Sequence, residues 1–142
     1  MKSARRQARE LALQALYAWQ ISGGDPVLEA RGLEGFDKDD HAFAESLVRG
    51  VRDRVAELQG LISPHLDRDF AKLSPVERSI LYIGTLELLV HPETPFKVVL
   101  NEAIELGKSF GGAQGHRFVN GVLEKIAMRL RPGEVGRARN PA

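Results

Sequence analysis

Apolar residues recur at helical spacing along most of the chain. Ala4, Ala8, Leu11, Ala12, Ala15 and Trp19 share one face of a helix that Ser3 can cap and that runs to about Ile21. Ser22-Gly23-Gly24-Asp25-Pro26 stops it. Residues 25–38 are acidic and dotted with glycine, which predicts a loop or at best a short, weak helix. From Asp39 or Asp40 onward, Phe43, Leu47, Val51, Val55, Leu58 and Ile62 repeat at three and four, predicting one long helix that Ser63-Pro64 interrupts. A short helical turn follows through Lys72.

Ser74-Pro75-Val76-Glu77 is a capping box with proline at the first helical position, so the serine and glutamate side chains each satisfy an orphaned backbone amide. The helix it opens, Pro75 to about His91, is apolar on nearly every side, which suits a central helix packed all round. Thr94-Pro95 repeats the cap-and-proline signal and starts a helix to Phe110, ended by Gly111-Gly112. A last helix covers roughly Gly115 to Arg131 and stops at Pro132-Gly133. No strand-like alternation competes, so the predicted fold is all-α, with six to seven helices. Residues 132–142 read as a flexible basic tail.

The last helix carries a contradiction. In His116-Arg117-Phe118-Val119-Asn120-Gly121-Val122-Leu123, the turn-forming Asn-Gly pair sits inside a run whose Val119, Val122, Ile126 and Leu130 form a helical stripe. A glycine in a helix interior costs about 1 kcal/mol against alanine, and the expected reason is another backbone approaching closely. Phe118 lies at the edge of the stripe, about 100° round from Val119. It can be core, or it can stack on an unpaired base while adjacent cations hold a phosphate backbone.

At 142 residues with 43% hydrophobic and 27% charged content, the chain is one domain with a real core. The absence of cysteine excludes a disulfide framework and a thiolate metal site. No apolar run has the length of a secretory or membrane segment, so a cytoplasmic location is expected. Catalytic and metal chemistry find little support. His41 and Glu45 lie four apart on a helix, but two ligands make no metal site. Asn101, Glu102 and Glu105 look like a carboxylate cluster, but Glu105 with Lys108 is an ordinary helix-surface pair. Glu87 sits in the most apolar helix, where a lone carboxylate is a structural acceptor more often than a catalyst. No enzyme activity and no cofactor are expected.

Net charge is only +1, but the charges are segregated. Lys2, Arg5, Arg6 and Arg9 recur at three and four on the first helix, the other end of the chain is also basic, and the acids crowd between Asp25 and Glu45. Cations in a first helical turn oppose the helix dipole unless an anion joins them. A phosphate backbone is one such anion. A merely solubilising basic end is the other reading, and with it a protein-only helical adaptor.

Four segments, ARRQARELALQALYAWQ, LSPVERSILYIGTLEL, FKVVLNEAIELGKSFGG and HRFVNGVLEKI, resemble the bacterial transcription antitermination factor NusB family in order and spacing from Lys2 to about Arg131. The resemblance is weakest between Asp25 and Asp40. It implies two packed three-helix subdomains, about 1–72 and 73–131, within one RNA-binding domain. It also implies pairing with NusE, a small-subunit ribosomal protein, and recognition of single-stranded boxA RNA within an antitermination complex with RNA polymerase and other Nus factors. The RNA-facing residues carry over to Lys2, Arg5, Arg6, Arg9 and Phe118, with Gln114 and Arg117 nearby, and the NusE-facing ones to Tyr17 and Glu77. A homodimer is possible when the protein is free. Tyr82 stands where the family usually has arginine and Leu86 where it often has tyrosine, so any polar partner these give Glu87 in relatives is missing here.

Overall fold

The computed structural model describes residues 2–37, 40–110 and 115–139, and they are helical throughout, joined by short turns. Helix α1 spans Ala4–Ser22, α2 Pro26–Arg31, α3 His41–Asp53, α4 Val55–Ile62, α5 Pro75–Val90, α6 Phe96–Phe110, α7 Gly115–Leu130 and α8 Pro132–Arg139. Two 3-10 turns, Ser63–His65 and Phe70–Lys72, link α4 to α5. The caps at Ser3 and Ser74 form, whereas α6 opens at Phe96, one residue later than the Thr94-Pro95 signal places it. Ser3 Oγ accepts from the Arg6 amide, and at Ser74 both halves of the capping box are made, at 3.1 Å each.

Helix α5 is the hub: it packs against α1, α3, α4, α6 and α7. Its residues from Ser79 to Leu88 are all buried, as the near-uniform apolar sequence requires. Helices α2 and α3 close on α1 on one side, and α6 and α7 close on α5 on the other. One buried apolar cluster runs through both groups, from Ala8 of α1 to Val135 of α8.

Two of the expected elements change. The long helix predicted from Asp39 or Asp40 to Ile62 is two helices, broken at Arg54, whose φ of −118° and ψ of 20° leave the helical region. The apolar period continues through the break, with Val51, Leu58 and Ile62 all buried, so periodicity alone reads as one helix. Residues Pro132–Arg139 form α8 rather than a flexible tail. Val135 docks in the core, and Arg131 and Glu134 bind the ends of two other helices. The buried Arg131 guanidinium donates to the carbonyls of Glu87, Leu88, His91 and Thr94 at 2.6–3.0 Å, capping α5 with a cation at its negative end. Glu134 accepts from the Phe96 amide at 2.7 Å, placing an anion at the positive end of α6.

The close approach expected at Gly121 lies elsewhere. A Cβ at Gly121 would meet nothing within 4 Å, whereas one at Gly107 would fall 2.9 Å from His116 Cα, and one at Gly84 2.7 Å from the Leu123 side chain. Gly107 therefore lets the start of α7 lie against α6, and Gly84 seats α7 on α5. The two sites predict opposite responses to alanine. Gly107→Ala should lose about 1–3 kcal/mol, because the obstacle is backbone, while Gly121→Ala should gain up to about 1 kcal/mol; chemical denaturation of the two variants checks this.

Candidate nucleic-acid interface

The four cations at the start of α1 do not form one exposed stripe. All four are paired with carboxylates. Lys2 Nζ lies 2.8 Å from Glu10, Arg5 Nε 3.4 Å from Asp40, Arg6 Nη2 2.8 Å from Glu102, and Arg9 Nη2 2.8 Å from Glu87. Exposure separates them. The side chains of Lys2, Arg5 and Arg6 are 54%, 55% and 38% exposed, but Arg9 is 4% exposed as a residue. Arg5 also lays its guanidinium 3.9 Å from the Phe43 ring centroid, a cation–π contact that fixes the head group at the surface.

Arg9 thus departs from the expected role. It shares a helix face with Leu13 and Leu16, both buried, and reaches inward to Glu87 with two hydrogen bonds of 2.9 and 2.8 Å. That i, i+4, i+7 apolar neighbourhood is the signal that spacing to Arg5 and Arg6 obscured. The pair also answers for Glu87. Its partner is an arginine from α1, not a residue at position 82 or 86. Tyr82 instead accepts from Gln59 at 2.9 Å and packs on Phe70, and Leu86 fills the space left by Gly50.

Glu102 joins the two arginine layers, accepting from Arg6 Nε and Nη2 at 3.2 and 2.8 Å and lying 3.5 Å from Arg9 Nη1. The hydrogen bond from Arg6 holds the Glu102 carboxyl below its ordinary range against the opposing effect of burial. Arg5, Arg9, Ser3 and Glu102 line a cleft of about 350 Å³ closed on its other side by Glu93, Thr94, Pro95 and Val98.

Phe118 lies in a different neighbourhood. It is half-buried on α7, under the Arg68 guanidinium at 4.8 Å, and with Arg117, Gly121, Val122, Lys125, His65 and Asp67 lines a second cleft of about 250 Å³. The arginines of α1 line neither wall of it. Gln114 lies outside the described residues. Tyr17 is 43% exposed near the C-terminal end of α1, and Glu77 caps α5. Gln20 binds these two ends together, donating to Ser79 Oγ at 2.7 Å and to the Pro75 carbonyl at 3.1 Å.

The model of the NusB family matches residues 6–128. Among curated relatives, the transcription antitermination protein NusB of Burkholderia lata is 49% identical over 98% of both chains. That of Dechloromonas aromatica is 52% identical over 94% of this chain and 84% of its own.

The chain belongs to the NusB family.

Solved NusB structures agree in fold. NusB of T. maritima superposes with a TM-score of 0.81 at 32% identity, covering 89% of this chain and 92% of its own. A crystal structure of the antitermination factors NusB and NusE in complex with dsRNA gives 0.79 at 27% identity over 91% and 99%. Among the described residues no helix is long and apolar enough to cross a membrane.

Within this family member, the two arginine layers should behave differently. Arg9→Met should destabilise the fold by about 3–5 kcal/mol, because Glu87 would remain buried without its cation; thermal or urea melting checks it. Because Glu102 is depressed in the fold, its contribution is complete above about pH 4.3, its unfolded value, and is lost as the pH falls through the folded value. Glu102→Gln should therefore lose less stability than the parent on acidification, as a urea titration at several pH values would register.

Proposed function

We propose that this chain is an RNA-binding transcription antitermination factor that pairs with a NusE-type protein and recognises boxA-like single-stranded RNA, rather than an enzyme. Its relatives carry the antitermination name, and a related NusB was solved together with NusE and RNA. The observation in this chain that carries the reading is the exposed Lys2, Arg5 and Arg6 at the capped start of α1.

Their existing partners decide which of them can serve. An exposed pair such as Arg5–Asp40 contributes at most about 1 kcal/mol, so a phosphate can displace the carboxylate at little cost. Lys2 and Arg6 are intermediate, since Glu10 and Glu102 are both largely buried. Arg9 cannot leave Glu87 without exposing a buried charge, so its part is to fix α1 on α5 and hold the outer cations in place. Phe118 and Arg117 offer a ring and a charge for unpaired bases on α7. Tyr17 and Glu77, tied to one end of the molecule through Gln20, form the surface for the protein partner.

The direct test is binding of boxA-like RNA with and without the NusE-type partner across a salt series. Replacing Arg5 and Arg6 by glutamine should flatten the slope of log K against log salt by about 0.7 for each phosphate that is no longer neutralised; an unchanged slope removes them from the interface. Phe118→Ala should weaken RNA binding by about 1–3 kcal/mol if its ring stacks on a base, read beside its melting temperature. Glu77→Gln keeps a residue that can complete the capping box. It should melt like the parent yet bind the partner more weakly if the charge makes the contact, and pull-down of the partner measures that.

A further inference from the structure

The cations of α7 differ from those of α1. Arg117, Lys125 and Arg129 recur at intervals of eight and four, and Gly121 occupies the missing step between the first two. All four positions lie on one stripe of the helix. At 1.5 Å of rise per residue the stripe places positive groups roughly 12 Å and then 6 Å apart. The neighbouring acids are already engaged, Asp67 with Arg68 at 2.8 Å and Glu124 with Arg139; among the described residues no carboxylate pairs with Arg117, Lys125 or Arg129.

The glycine shapes this stripe into a groove. A side chain at 121 would meet nothing, so the gap serves no internal packing, and the space above it is the cleft walled by Phe118 and Val122 on one side and His65 and Asp67 on the other. His65 lines the cleft as a neutral ring, since burial and then the charges of Arg129 and Lys125 lower its pKa.

We infer that the Arg117–Gly121–Lys125–Arg129 stripe of α7 is a second phosphodiester-binding groove, in which Gly121 lets an RNA backbone approach the helix between two unpaired cations. The inference rests on the RNA-binding reading and extends it, because Arg117 and Phe118 line the same cleft as Lys125 and His65. A row of separated charges suits a polyanion better than a single ion. Bases pointing away from the helix could stack beside Phe118 while their phosphates follow the stripe.

The test uses the full chain with its NusE-type partner and a boxA-like single-stranded RNA carrying extra nucleotides on both sides. Lys125→Gln with Arg129→Gln should lower the salt slope by about 1.4 and weaken binding roughly tenfold or more near 0.1 M salt. Gly121→Leu, which fills open space and removes a helix-interior glycine, should melt no lower than the parent and yet weaken binding. Arg5→Gln with Arg6→Gln runs alongside. If that variant loses affinity while the α7 variants bind with the parental slope, the groove is overturned and the RNA-binding reading stands. If the parent protein retains no RNA, both fall. If the α7 variants lose binding to an acidic polypeptide such as polyglutamate but not to RNA, the groove belongs to a protein partner and the inference is overturned.

Discussion

The ion pair between Arg9 and Glu87 is the constraint around which the rest is arranged. Two charged groups, each almost wholly removed from water, are tolerable only because the guanidinium meets the carboxylate through two parallel hydrogen bonds. That geometry fixes the rotation and height of α1 on the hub helix. The positions of Arg5 and Arg6 follow from it, as does the access of Arg6 to Glu102. An apolar pair could have held the helices at similar free energy. The ionic pair adds directionality, since neither helix can turn without stranding a charge.

From this anchor the surface sorts its cations by how firmly each is held. Arg9 is fixed, Lys2 and Arg6 each meet a largely buried carboxylate, Arg5 keeps a more exposed and weaker partner, and Arg117, Lys125 and Arg129 have none among the described residues. A polyanion arriving at this molecule would therefore meet graded resistance. Displacing a carboxylate from a partly buried arginine costs more than coating an unpaired lysine, so the outermost groups respond most directly to salt.

Much of the fold was legible because its signals are local. The Ser3 and Ser74 caps, the proline at 75 and the apolar stripe of α7 each act within a few residues, and each forms as read. What was not legible depends on contacts far apart in sequence. The break at Arg54 leaves the apolar period intact. Whether an arginine faces water or a carboxylate 78 positions away cannot be read from its spacing to other arginines. The glycines mislead for the same reason. Asn120-Gly121 looks like the close contact because of its turn chemistry, but the tight places are Gly84 and Gly107, defined only once α7 lies against α5 and α6. The candidate site shows the same division: exposed Arg5 and Arg6 were legible, whereas the separate surroundings of Phe118 follow from packing.

Arg131 carries a consequence of its own. Four carbonyl oxygens from the stretch between Glu87 and Thr94 converge on its guanidinium, much as a peptide loop wraps a bound metal ion. The turn from α5 to α6 is therefore a chelate whose central cation comes from the far end of the chain. Lysine, a single point of charge on a flexible stem, could not address donors spread around a plane in this way. The shape of that corner is set by the planarity of one side chain.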